Sequence, residues 1–330
     1  MNRKYFAVRN RVGFLDLSGR GKIEVSGKDR HAFLHGVLTQ DIKNLKPGEG
    51  RPAALLDPEG RLIADFHLFA FEEFLLIDCQ AVLVPEILGT LGKYLITEDV
   101  TLTDRANDFA WLGIEGPRAP DLLSRLIEEK SDFLAPGAHT GKLIKNIPVH
   151  IFRFSFSGER GFYFLLKASE KKAFSDSIFS EGRAFEMEPL DESSFQILRV
   201  EAGLPWHGTD FDKKTLFPET GLENAVCYTK GCYLGQEAVA KIKNTGGPEK
   251  KLTGFVLDGP EPPLPPQKLF SKGQEAGYLT SIVFSPALEK TISLGYLLKD
   301  SALENNRAEV GTVGSKIFAR VHALPFFRRT

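Results

Sequence analysis

Cysteine is scarce in this chain, with three in 330 residues: Cys79, Cys227 and Cys232. So low and odd a number excludes a disulfide-stapled scaffold and suits a reducing compartment. No apolar run reaches the roughly 18 residues that a membrane-spanning helix needs. The basic start, Met1 to Arg9, lacks the continuous apolar core of a secretory signal. The cytoplasm is the expected location, or the mitochondrial matrix if the source is eukaryotic. Charge of one sign is not in excess either, since Lys plus Arg total 42 and Asp plus Glu 43, for a formal net charge of -1. That balance argues against a protein built to neutralise phosphates, so no direct nucleic-acid partner is expected. Met and Trp number two each, whereas Phe reaches 26, a supply of rings for core packing.

What is present reads as an α+β chain. Gly21–Val25 forms a short strand, followed by helical spacing of Phe33, Leu34, Val37 and Leu38. Asp57-Pro58-Glu59-Gly60 is a turn between two strands. In the second of them Leu62, Ala64, Phe66 and Leu68 alternate with Ile63, Asp65, His67 and Phe69. Such alternation sets one carboxylate on a face of mixed polarity. A strand at Phe74–Ile77 precedes a helix with Leu83, Ile87, Leu91 and Leu95 on one face. Trp111–Ile114 and a helix near 117–128 extend the mixed pattern, and hairpins interleaved with helices favour α+β over a doubly wound sheet. Beyond Lys250 strand candidates follow one another at Leu252–Leu257, Ala276–Val283, Ile292–Leu297 and Lys316–His322, which reads as a small β-barrel or sandwich. The proline-rich segment 258–266 between the first two cannot be regular structure.

The most informative stretch is Lys230-Gly231-Cys232-Tyr233-Leu234-Gly235-Gln236-Glu237. Two glycines bracket Cys232 and Tyr233, and a helix starts beyond. A thiol near a helix N-terminus, with Lys230 close by, is expected to ionise readily; the alternative is a small buried hydrophobe. Cys227 and Cys232 have no His nearby, which gives no zinc site. His31 and His35, at i,i+4, either share a metal or occupy one solvated helix face, and no third ligand suggests itself. No metal is expected. Gly19 and Gly21 flank Arg20 without any phosphate-binding fingerprint following.

The octet resembles the signature K-G-C-Y/F-x-G-Q-E of YgfZ-type folate-binding proteins, relatives of the glycine-cleavage T-protein aminomethyltransferases. Other segments agree in order along the chain. Leu198-Arg199-Val200-Glu201-Ala202-Gly203 is similar to the R-x-E-A-G segment of T-proteins. Leu38-Thr39-Gln40-Asp41-Ile42 resembles L-x-N-D-I, Ser155–Gly161 resembles G-Y-T-G-E-x-G, and Gly277–Ser281 with Ser285-Pro286 resembles G-x-x-T-S…S-P.

This resemblance implies a three-domain T-protein-like fold around a central cavity. Residues 1–48 and 144–248 would form a discontinuous folate-binding domain, 49–143 an α+β domain, and 249–330 a C-terminal β-barrel. It implies tetrahydrofolate or another reduced folate as cofactor, and iron–sulfur assembly or client proteins as partners. Glu201 is then the pterin anchor, Phe156, Arg199 and Tyr233 surround the folate, and Asp65 lies near its reactive nitrogens. T-proteins carry two successive aspartates where this chain has Ala64-Asp65, so Asp65 is either a general base or a solvated strand position. They also carry F-I-G-R where this chain has Tyr233-Leu234-Gly235-Gln236, which removes a fixed cation. The resemblance therefore implies a tetrahydrofolate-binding accessory factor for iron–sulfur enzymes and tRNA modification, with Cys232 as its key thiol. The alternative is a folate-dependent one-carbon transferase, which Asp65 and Glu201 favour, while Gln236 and Cys232 favour the accessory factor; Asp65 and Cys232 are the candidate catalytic residues.

Overall fold

The computed structural model describes residues 3–259, 264–299, 301, 307–311 and 317–328. Helix α1 (Arg3–Asn10) and strand β1 (Gly13–Asp16) come first, and β2 (Gly21–Ser26) then enters a different sheet. That sheet is completed by β3 (Gly50–Leu56), β4 (Leu62–Ala70), β5 (Phe74–Cys79) and β6 (Thr101–Asp104), with α2 (Arg30–Val37) and α3 (Val84–Tyr94) between its strands in sequence. Its order is β3-β4-β5-β2-β6. The chain returns to β1 through β7 (Phe109–Glu115). It continues with α4 (Ala119–Ile127), β8 (His139–Ile144), β9 (Ile147–Phe152), β10 (Gly161–Lys167), α5 (Lys171–Gly182) and β11 (Glu188–Pro189). These strands form a second sheet, ordered β11-β1-β7-β10-β9-β8.

The expected division at residues 48, 143 and 248 is corrected at its first two boundaries. β2 pairs with β5 and β6, and β7 pairs with β1 and β10, so the chain changes sheets at 17–20 and again at 105–108. Lys22 ties the two crossings together. It is fully buried, and its ammonium donates to the carbonyls of Ser18 and Arg20, both at 2.9 Å, and of Ala106 at 3.4 Å. A cation held this way satisfies loop carbonyls that no strand partner reaches.

The abundant phenylalanines pack the seam between the two sheets. Phe69 of β4 meets Phe152 of β9 at 4.6 Å between centroids, and Trp111 of β7 meets Phe152 at 4.7 Å. Offset and edge-on ring pairs each add roughly 0.5–1.5 kcal/mol beyond area burial. Helices α6 (Glu192–Glu201) and α7 (Gln236–Asn244) lead to a closed barrel, β12-β15-β14-β13-β16-β17. The barrel strands are β12 (Lys250–Asp258), β13 (Gln267–Ser271), β14 (Gln274–Ser285), β15 (Lys290–Leu298), β16 (Arg307–Val310) and β17 (Ile317–His322). Four match the sequence expectation, although Lys316 and part of the proline-rich segment lie outside the described residues. The other two, β13 and β16, are short and rich in polar residues; they pair with their sequence neighbours β14 and β17 and with each other.

Candidate functional site

A cavity of about 200 Å³ opens where β4, the loop between β9 and β10, α6 and the segment after α6 converge. Asp65 and His67 line it from one face of β4, as the period of two requires. Phe156 and Trp206 supply flat walls, and Arg20 and Arg199 bring guanidinium groups to the lining. Phe156 is held by Glu115, which is buried at the end of β7. The backbone N–H groups of Phe156 and Ser157 donate to this carboxylate at 2.7 and 3.0 Å, and the hydroxyls of Ser155 and Tyr163 also donate to it. Gly161 makes the loop possible, because a Cβ there would lie 2.3 Å from the Phe154 carbonyl oxygen.

Charge in the cavity is distributed unevenly. Arg20 grips Asp78 of β5 with two hydrogen bonds of 2.7 and 2.9 Å and lies over the rings of Phe156 and Trp206 at 5.1 and 5.9 Å. Asp65 has no such partner, and its Oδ1 is buried without a hydrogen bond. Burial pushes the Asp65 carboxyl up to about 6, against the opposing pull of Arg20. Burial likewise holds His67 down at about 4, so its imidazole is neutral at physiological pH and stacks on Phe154 at 4.9 Å. Arg199 is 2% exposed and committed elsewhere. It pairs with Asp210 at 2.8 Å and donates to Ser281 at 2.7 Å, while Asp210 accepts the Trp206 N–H at 2.8 Å. Arg199 thus fixes the wall that Trp206 builds.

Of the residues expected at the site, Asp65, Phe156 and Arg199 come together, whereas Glu201, Tyr233 and Cys232 do not line the cavity. Glu201 is the largest correction. Two residues along a helix differ by about 200° in direction, so Arg199 and Glu201 of α6 face opposite ways. The Glu201 carboxylate is fully buried, accepting from the Tyr5 hydroxyl at 2.7 and 2.9 Å, from Arg9 at 3.0 and 2.5 Å, and from Ser285. Its backbone carbonyl accepts the N–H groups of Phe326 and Phe327. This residue joins α1, α6, the end of β14 and the segment after the barrel. Tyr233 is corrected too: it packs in a separate apolar cluster with Leu56, Phe211, Phe217 and Val239.

The octet is organised by contacts outside the cavity. Lys230 donates to the carbonyls of His35, Leu38 and Gln40, capping the C-terminal end of α2, and burial lowers its ammonium to about 8. Gly235 caps α7 with φ 79°, and a Cβ there would sit 2.5 Å from the Asp57 carbonyl oxygen in the β3–β4 turn. Gly231 has open space around it. Gly235→Ala should therefore cost roughly 1–3 kcal/mol and Gly231→Ala little, a contrast that chemical denaturation would measure.

Cys232 is exposed on this loop, while Lys230, expected to activate it, donates to backbone carbonyls instead. The Cys227 thiol is 3.5 Å from the Thr229 hydroxyl, and that hydrogen bond is the main influence lowering its pKa. Buried Cys79 is pushed up to about 12, chiefly by desolvation. Limited alkylation is expected to modify Cys227 with a midpoint below that of an ordinary thiol, and to spare Cys79 until the protein unfolds. Peptide mapping across pH 6–9, about the range of thiol ionisation, would check both. His31 and His35 answer a local need: His31 lies 3.1 Å from the Ile42 carbonyl, and His35 accepts from the backbone of Ile42 and Lys43. No group of three metal-binding side chains occurs among the described residues, and no helix there is long and apolar enough to cross a membrane.

Sequence reasoning missed Arg20 and Trp206 as cavity walls. The Gly19-Arg20-Gly21 tripeptide was a visible signal for the first, but its meaning depends on Asp78, which is far away in sequence.

The comparisons agree with this architecture. Residues 1–230 match the GCVT N-terminal domain, and residues 250–328 match the glycine cleavage T-protein C-terminal barrel domain. The aminomethyltransferase of Shouchella clausii is 30% identical, over all of this chain and 90% of its own length. That of Geobacillus kaustophilus is 28% identical, over all of this chain and 91% of its own length. The crystal structure of glycine cleavage system aminomethyltransferase T from Bartonella henselae shares the fold, with a TM-score of 0.89 at 24% identity over 98% of this chain and 89% of that one. With its two-sheet body, its closed barrel and sequence matches to both domains, the chain belongs to the glycine cleavage T-protein family.

Proposed function

We propose that the chain binds a reduced folate, tetrahydrofolate, with the pterin ring in the cavity, and acts as a folate-dependent one-carbon transferase. The observation that carries this reading is Asp65: a carboxylate on an apolar-walled cavity with a buried oxygen that no group among the described residues satisfies. A flat heterocycle rich in N–H donors meets both needs, packing against Phe156 and Trp206, whose rings are set edge to face, and donating to Asp65. Tetrahydrofolate, when bound, supplies the nitrogens that accept a one-carbon unit. With its carboxyl near 6, Asp65 can take a proton at Oδ1 and return it close to neutral pH. His67 is neutral, and Arg20, held by Asp78, pulls on Asp65 only at a distance. The relatives named aminomethyltransferase support this class of reaction.

A second reading rests on the octet. Cys232 is exposed, and Gln236 stands where T-proteins have an arginine. Both suit a folate-binding accessory factor of the YgfZ type that serves iron–sulfur enzymes, including those of tRNA modification, in the cytoplasm. Calorimetric titration with tetrahydrofolate tests what the two readings share, and absence of heat or thermal shift at about millimolar ligand would end both. An aminomethyl-transfer assay on the same protein then separates them.

A further inference from the structure

The cavity shares walls with two neighbouring hollows of opposite character. On one flank, Ser155 lines both the cavity and a groove of about 480 Å³, and the cavity's His67 stacks on Phe154 of that groove. The groove carries Arg153 and Arg160, and its carboxylate, Glu159, is 1% exposed and ion-paired with Arg9 at 2.9 Å. Among the described residues, neither Arg153 nor Arg160 has an ion-pair partner; Arg153 donates to the Leu134 carbonyl at 2.5 Å. On the other flank, Arg20 and Trp206 line both the cavity and a hollow of about 260 Å³ that carries Asp16, Asp191 and Glu192. The guanidinium there is already committed to Asp78.

Pockets that bury a whole small-molecule ligand occupy about 300–1,000 Å³, so a cavity of about 200 Å³ takes a bicyclic ring and leaves its substituent outside. On the folate reading above, that substituent is an aminobenzoyl group ending in a glutamate with two carboxylates, and each further γ-linked glutamate adds one more. We propose that the glutamyl tail leaves the cavity over Ser155 and lies in the groove, where Arg153 and Arg160 receive its carboxylates. Guanidinium matches carboxylate geometry with two parallel hydrogen bonds. On the other flank the Arg20 guanidinium is held by Asp78, and Asp16 and Asp191 are paired with Lys171 and Lys4, so Arg153 and Arg160 favour the groove as the exit. Arg153 and Arg160 are then specificity-determining residues that distinguish folates by tail length and take no part in chemistry at the ring.

The test titrates full-length protein with three ligands: a tailless tetrahydropterin, tetrahydrofolate monoglutamate and tetrahydrofolate triglutamate. Wild type should bind them in rising order of affinity, with the advantage of the triglutamate shrinking as salt is added. R160Q changes an exposed side chain and should weaken triglutamate binding roughly three- to tenfold while leaving the tetrahydropterin unchanged. R153Q should act in the same direction, with thermal unfolding monitored because of its bond to Leu134. If both variants keep the wild-type ratio of triglutamate to tetrahydropterin affinity, the tail site is overturned and the folate cavity stands. If none of the three ligands binds wild type, the folate reading falls and the tail site with it.

Discussion

Replacing Glu201 by alanine is expected to destabilise the protein by about 3–5 kcal/mol, the usual cost of removing one partner from a buried ion pair. Arg9 has its side chain 3% exposed and would lose the carboxylate that two of its nitrogens contact, while keeping its ion pair with Glu159. The Tyr5 and Ser285 hydroxyls would lose their shared acceptor at the same time. Because these groups come from α1, the β9–β10 loop, α6 and the barrel, the loss should loosen the docking of the barrel on the body. Urea denaturation would report it as a lower midpoint. Folate affinity measured below the unfolding transition should stay within about twofold of wild type, since the carboxylate faces away from the cavity. A selective loss of folate affinity with unchanged stability would return Glu201 to the role of pterin anchor.

Asp65→Asn is the counterpart, expected to act on function and spare the fold. If Asp65 assists proton transfer, one-carbon transfer should fall by around 10²–10³ while folate binding changes less. The pH dependence is specific. The base form predominates above about 6, so the wild-type rate should rise through that pH and level off, and the variant should lose this inflection. Stability should move the other way. A carboxyl whose folded pKa is raised above its unfolded value favours folding below the unfolded value, and that contribution is lost as pH rises through the folded one. Asparagine escapes the loss, so the variant should be more stable than wild type at pH 8. The gain is at most about 2 kcal/mol, because the cavity leaves the carboxylate partly accessible. Equal activity with an unchanged pH profile would leave Asp65 a strand residue.

Much of this architecture was legible before any coordinates. Alternation along Leu62–Phe69 identified β4 and the face that carries Asp65 and His67, because a strand's period of two is a local property. The i+4 spacing of Leu83, Ile87 and Leu91 located α3, and the run of strands beyond Lys250 announced the barrel. The turn at Asp57–Gly60 and the helix after the octet were equally local. Domain boundaries were not. β2 and β6 belong to one sheet although 74 residues separate Ser26 from Thr101, and strand pairing at that distance leaves no mark on composition.

The candidate site divides in the same way. Residue chemistry and family resemblance were enough to single out Asp65, Phe156 and Arg199, which share the cavity lining. They could not assign Glu201, because the turn of α6 sends its carboxylate to Arg9 and Tyr5 while Arg199 takes the cavity side. They favoured Cys232 over Cys227, whereas the hydroxyl contact that lowers a thiol pKa is placed by loop geometry at Cys227 and the nearby Lys230 is held by the carbonyls after α2. By itself the sequence determined which side chains were available and which segments could be strands, helices or turns, because those depend on neighbours in the chain. Only the tertiary structure decided which charges were neutralised by one another and which was left facing a cavity, because that depends on partners brought together from distant parts of the chain.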